Sequence, residues 1–203
     1  MRLVNFDKEM QKIIATHAKN GEKPRLLMHS CCAPCSSACI ERVKDFFELS
    51  IYYYNPNMNS EEEFNLRRDE QIKYCKTVGV DCKVEQYDKK EFLSIVKGVE
   101  TCMEGGARCE KCFYLRLKKT AEKAKENGYD YFTTTLTVSP LKNANKLNEI
   151  GNKIANEIGV KFLPSDFKKN NGYLRSIELS KQNNLYRQNY CGCEFSKRVI
   201  PEK

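Results

Sequence analysis

Long apolar stretches are missing from this chain of 203 residues. No run reaches the roughly 18 apolar residues that a membrane-crossing helix needs. The opening residues, Met1-Arg2-Leu3-Val4-Asn5-Phe6-Asp7-Lys8-Glu9, lack an apolar core followed by small residues. A secretory signal is therefore not expected, and the cytoplasm is the default compartment. Linkers, internal repeats and low-complexity tracts are missing too. One catalytic domain over residues 1–203 is expected, long enough to bury a sizeable core.

Cysteine is abundant by contrast, with eleven in the chain. A reducing compartment disfavours structural disulfides, and an odd count excludes complete pairing within the chain. The clustered cysteines therefore read as metal ligands or redox groups. The net charge of +8 suits a polyanionic partner such as nucleic acid, and equally a merely basic soluble protein.

Short β-rich runs alternate with amphipathic helical stretches. Strands are expected at Arg25–His29, Ile51–Tyr54, Cys82–Glu85, Tyr131–Thr135 and Val160–Leu163. Helices are expected at about 60–78, after Asp88, at about 109–126, at about 143–158 and around 174–181. Ser60 with Glu63, and Asp88 with Glu91, carry the spacing of a capping box. This is the pattern of an α/β fold with an open, mostly parallel sheet and helices on both faces. Residues 164–203 break the alternation and read as a C-terminal helical cap on the same domain.

Cys31-Cys32-Ala33-Pro34-Cys35 follows the first strand directly, where open parallel sheets hold ligands. Pro34 suits the first turn of the next helix. Adjacent cysteines in a turn can face one metal centre, whereas in a straight strand they point to opposite faces. Cys109-Glu110-Lys111-Cys112 has metal-ligand spacing at a helix N-terminus, whose positive end favours thiolate. Together the two sets supply four thiolates, which fit a structural Zn²⁺ or a [4Fe–4S] cluster. Spacing alone does not separate these, but the vicinal pair is not a zinc knuckle, which favours iron–sulfur. Cys191-Gly192-Cys193 reads as a redox dithiol or as ligands to a second metal. Cys35 is ambiguous, within reach of the vicinal pair. Cys39, Cys75, Cys82 and Cys102 read as core or incidental thiols. His29, beside the cysteine pair, reads as a hydrogen-bonded core residue or an active-site group, and His17 receives no role.

These residues resemble the QueH family of epoxyqueuosine reductases. The likeness runs from His29-Ser30-Cys31-Cys32-Ala33-Pro34-Cys35-Ser36 through Tyr53-Tyr54-Asn55-Pro56-Asn57 to Arg108-Cys109, Cys112-Phe113 and Arg116-Leu117. It continues through Phe132-Thr133-Thr134-Thr135-Leu136 with Ser139-Pro140, then Asp166-Phe167-Lys168-Lys169 and Gly172-Tyr173. Arg175-Ser176-Ile177-Glu178-Leu179-Ser180 and Leu185-Tyr186-Arg187-Gln188 lead to Tyr190-Cys191-Gly192-Cys193. The resemblance implies a fold like the adenine-nucleotide α-hydrolases (Rossmann-like). It implies the last step of queuosine synthesis, reduction of an epoxide on the wobble base of tRNA, without cobalamin. It implies a [4Fe–4S] cluster on Cys31, Cys32, Cys109 and Cys112, and a redox-active pair at Cys191 and Cys193. An additional iron beside the cluster is also implied, with Cys35 and the Cys191/Cys193 pair as candidate ligands. An unidentified electron donor completes the set of partners.

Residues 161–203 hold nine Lys/Arg against four Asp/Glu. Tyr173, Tyr186 and Tyr190 interleave there with Arg175 and Arg187, a mixture suited to phosphate contact and base stacking. The plainer reading is that these tyrosines pack the cap. Two rival functions remain. A tRNA sulfur-transfer enzyme of related fold would need a glycine-rich phosphate loop after the first strand; Ser30 to Cys35 contains no glycine, so ATP use is disfavoured. A non-catalytic RNA-binding module would hold structural zinc and be colourless.

Overall fold

The computed structural model describes residues 4–196. Five parallel strands form one sheet in the order β3-β2-β1-β4-β5. They are β1 (Arg25–Ser30), β2 (Glu48–Tyr53), β3 (Asp81–Val84), β4 (Tyr131–Thr134) and β5 (Lys161–Phe162). The helices are α1 (Phe6–Lys19), α2 (Ala33–Val43), α3 (Glu61–Val78), α4 (Lys89–Val96), α5 (Ala107–Glu126), α6 (Ala144–Ile158) and α7 (Gly172–Gln182). The expected α/β architecture is therefore present. No described helix is long and apolar enough to cross a membrane.

Strand alternation builds a core on each side of the sheet. Leu26 and Met28 of β1 meet Met10, Ile14, Ile40 and Val43 of α1 and α2. Leu27, one residue out of phase, packs with Phe132, Leu117, Ala121, Leu147 and Ile154 under α5 and α6. Each large apolar side chain buried in this way contributes about 1.5–3 kcal/mol. Local chemistry sets the helix starts. Ser60 Oγ accepts from Glu63 N at 3.3 Å, and Asp88 Oδ1 accepts from Lys90 N at 2.9 Å.

The chain runs outward from β1 to β2 and β3, then crosses back through α4 and α5 to β4 on the other side of β1. That reversal opens a crevice beyond the carboxyl ends of β1 and β4, the place where open α/β sheets bind ligands. The Cys31-Cys32 turn leaves β1 there. A short 3₁₀ turn, Thr135–Val138, leaves β4 beside it. After β5 the chain is anchored by Asn148, which bonds Ser165 N at 2.9 Å and Ser165 O at 2.8 Å. Helix α7 then packs on α2, and the tail carrying Cys191-Gly192-Cys193 returns toward the crevice. Residues 197–203 of the expected cap lie outside the described residues.

Candidate active site

Helix α2 begins as the chain turns out of β1. Cys32 caps it in extended backbone, and Pro34 occupies the first turn. This turn puts the vicinal thiols on one side, with Cys31 Sγ 3.8 Å from Cys32 Sγ. Cys35 joins them one turn along, and all three sulfurs lie within 4.8 Å of one another. Cys31 and Cys32 are buried and Cys35 is half-buried. Hydrogen bonds from Cys32 and Cys35 push the Cys31 thiol well down, helped by Arg116 and Lys142. The bonds to Cys31 and Cys35 push Cys32 up, and the bond to Cys31 together with burial pushes Cys35 up to about 12.

The second set of thiols stands on α5 and the tail. Cys109 and Cys112 share a face of the first turns of α5, and Gly105 N donates to Cys109 Sγ at 3.3 Å. With Cys191 and Cys193 they line one small cavity. Cys191 also lines the cavity that holds Cys31, Cys32 and Cys35, so the two sets adjoin at that residue. Gly192 lets the tail pass here. Its φ is +111°, and a Cβ would stand 2.5 Å from Met58 Sδ, while its carbonyl accepts from Asn59 N at 2.9 Å.

Arg67 and Lys142 line the cavity of the vicinal thiols and Arg108 that of the second set, with one carboxylate, Glu104, in both linings. Arg116 is completely buried. It donates from Nε to His29 Nε2 at 3.2 Å and from Nη2 to Asn55 Oδ1 at 2.6 Å, and Nη1 lies 4.0 Å from Cys112 Sγ. No carboxylate pairs with it among the described residues. His29 is held neutral, lowered to about 3 by burial and then by Arg116. Arg116 has only donors, so Nε2 accepts from it and Nδ1 donates to Thr134 Oγ1 at 3.0 Å. The Tyr54 carbonyl, 3.1 Å from Nε2, receives no proton from the ring in that tautomer. Lys142 lines the same cavity as Cys31, and burial opposes its charge. The sulfurs of Cys191, Cys31 and Cys35 outweigh that and hold the amine protonated. Neither α2 nor α5 has a side chain capping its first N–H groups.

A buried Arg116 with no carboxylate partner among the described residues, Lys142 at the cavity wall, uncapped helix starts and clustered thiols form a donor set for an anionic, thiolate-held metal centre. The seven sulfurs fit an iron–sulfur group.

The crevice contains a cavity of about 260 Å³. Cys31, Cys32 and Cys35 lie on one side, with Ser139 and Lys142 beside them. Tyr173, Arg187 and Tyr190 also line it. Arg187 Nη1 donates to Ser176 O at 3.1 Å and Ser180 Oγ at 3.2 Å, and its guanidinium lies 5.7 Å from the Tyr173 ring centre. Tyr190 donates to Asn59 Oδ1 at 3.0 Å. Arg175 stands apart from this cavity, ion-paired to Glu41 at 2.8 Å and Glu178 at 3.0 Å. His29 lies beneath the thiols and reaches them through Arg116.

Sequence reasoning assigned no role to Arg116, Asn55 or Lys142. Arg116 follows Cys112 by four residues, one helical turn, which is the signal that places both on one face. Cys39 and Cys75 are buried in the core as expected, and Cys82 packs partly buried against the same cluster.

A family model described as "Epoxyqueuosine reductase QueH" matches residues 26–199. A Staphylococcus epidermidis protein named epoxyqueuosine reductase QueH is 42% identical over 95% of this chain and 84% of its own length. Proteins of the same name from Streptococcus pyogenes and Thermotoga maritima are 38% and 36% identical. These alignments cover 97% and 88% of this chain, and 79% and 93% of the relatives.

Proposed function

The chain belongs to the epoxyqueuosine reductase QueH family, and from that premise we propose that it converts epoxyqueuosine to queuosine on tRNA with a thiolate-held iron–sulfur centre and without cobalamin. It is an oxidoreductase of the last step of queuosine synthesis. The observation that carries the chemical reading is the convergence of seven thiols with the buried, carboxylate-free Arg116 and with Lys142 at the β1/β4 crevice.

Cys31, Cys32, Cys109 and Cys112 would hold a [4Fe–4S] cluster. Cys35, Cys191 and Cys193 would then be left for an additional iron or, in the last two, for a redox dithiol. When bound, such a centre supplies electrons one at a time. Turning the epoxide into an alkene takes two electrons and two protons and releases water. The protein's part is to place the modified ring in the cavity and deliver those protons. Lys142, Tyr173 and Tyr190 line it with N–H or O–H groups suited to the departing oxygen. Arg116, fixed by His29 and Asn55, holds positive charge behind the sulfurs. The tRNA is held by basic and aromatic groups at the mouth, with the wobble base presented singly, as RNA readers take loops. A reducing cytoplasm keeps the eleven cysteines available for this chemistry.

Family membership favours reduction over sulfur transfer and over a zinc-bearing RNA module. The test is anaerobic purification followed by one turnover. A brown protein absorbing near 400 nm, with iron and sulfide, that forms queuosine in epoxyqueuosine-containing tRNA supports the reading. A colourless, zinc-loaded protein without turnover overturns it.

A further inference from the structure

Asn57 closes the turn after β2, next to the well-bonded Asn55. Asn55 Nδ2 donates to Ser30 O at 2.9 Å, and its Oδ1 accepts from Arg116. Asn57 is 1% exposed, yet neither Oδ1 nor Nδ2 has a partner among the described residues. Arg108, 4% exposed, leaves Nε unpaired although its Nη1 bonds the carbonyls of Glu100 and Cys102. Both residues line the same cavity of about 20 Å³, whose wall includes Cys109, Cys112, Cys191 and Cys193.

A buried amide group left without a partner costs about 1–3 kcal/mol. Leucine has nearly the same shape and would carry no such cost. An acceptor for the N–H at this cavity would remove that cost. A neutral thiol is a weak acceptor. Anionic sulfur, as metal-bound thiolate or as sulfide, accepts strongly, and four thiols share the cavity wall.

We propose that Asn57 is a positioning residue for the metal–sulfur centre, with its Nδ2–H, assisted by Arg108 Nε–H, donating to the sulfur of that centre. This rests on the reading that an iron–sulfur centre is held here. N–H groups donated to sulfur stabilise the more negative, reduced state and so raise its reduction potential. The amide is thus a setting for how readily the centre takes an electron.

The experiment compares the wild-type chain with Asn57→Leu and Asn57→Asp, all purified anaerobically with the centre in place. Iron and sulfide per chain are counted, and the potential is followed by paramagnetic resonance during a redox titration. The expected result is wild-type iron content, with the potential falling from Asn to Leu and further to Asp, whose carboxylate brings negative charge. Thermal melting adds a second sign. In protein stripped of iron, Asn57→Leu should melt higher than wild type, because unpaired polar atoms are gone; in loaded protein it should melt lower. If the leucine variant fails to assemble a centre, the aspartate variant alone carries the comparison. Equal potentials in wild type and variants overturn the proposal and assign the amide to a trapped water. A wild-type chain that carries no iron–sulfur chromophore overturns the underlying reading and this one with it.

Discussion

Arg116 donates from Nε to His29 Nε2 across 3.2 Å, tying α5 to β1 directly beneath the vicinal cysteines. The guanidinium is fully buried and has no carboxylate partner among the described residues, which leaves its charge available to an anionic group held by the thiols. Replacing it with neutral glutamine should weaken the hold on an anionic centre. Losing one charged hydrogen bond is worth about 1.5–3 kcal/mol, so Arg116→Gln should release iron to a chelator at least about tenfold faster. Release as slow as in wild type would show that Arg116 only packs the core.

The cysteines make a second prediction, because the structure groups them differently from the motif spacing. Cys31, Cys32 and Cys35 lie within 4.8 Å, while Cys109 and Cys112 line the adjoining cavity with Cys191 and Cys193. If the cluster spans both groups, Ser replacement at Cys31, Cys32, Cys109 or Cys112 abolishes the absorption near 400 nm. Cys35→Ser should then keep the chromophore while losing activity. Loss of colour in Cys35→Ser together with full colour in Cys109→Ser would place the centre on the first three thiols instead.

The C-terminal pair is tested by oxidation state. Ser replacements at Cys191 and Cys193 should leave the chromophore intact and stop turnover. A disulfide trapped after one turnover of the wild type supports a dithiol, whereas loss of one extra iron in the variants supports a metal site. Full activity of the double variant rejects both roles.

Much of this was legible in the chain because the signals are local. Ser60 caps α3 at the expected residue, and all five strands fall within three residues of the expected positions. The cysteine turn after β1 sits at the crevice because strand order reverses there. What was not legible depends on distant partners. Nothing near Arg116 in sequence announces His29 and Asn55, which are 87 and 61 residues away. Nothing near Arg175 announces that Glu41, 134 residues away, turns its guanidinium from the cavity. The 4.8 Å grouping of Cys35 with the vicinal pair depends on where the helix starts after the turn, which the sequence bounds only loosely.

Gly172 supplies a stability test. A Cβ there would stand 1.8 Å from the Phe167 carbonyl oxygen, and backbone cannot yield as a side chain does. Gly172→Ala should cost about 1–3 kcal/mol or more, seen as a melting point lower by roughly 2–12 °C. Leu174→Ala, at a side chain 55% exposed two residues on, should change stability by no more than about 0.5 kcal/mol. Equal effects would mean that α7 does not need the close approach at its start.

The two arginines of the tail region separate RNA contact from surface structure. Arg187 lines the cavity, and its hydrogen bonds among the described residues run from Nη1 to Ser176 and Ser180. Arg175 is spent on Glu41 and Glu178. A phosphate contact releases condensed cations, so removing it lowers the salt slope of binding by about 0.7–0.9. Arg187→Ala should weaken tRNA binding and reduce that slope, whereas Arg175→Ala should change both far less. Because Arg187 also fastens the tail to α7, Arg187→Lys serves as the companion: it keeps a positive charge for phosphate but cannot reproduce the guanidinium contacts. Recovery of the slope by lysine, with the melting point still lowered, assigns the charge to RNA and the geometry to the fold. Equal loss in the Arg175 and Arg187 variants would place the RNA on the outer face of α7. Equal reduction of epoxyqueuosine-containing tRNA and of the free nucleoside would show that neither arginine serves recognition at all.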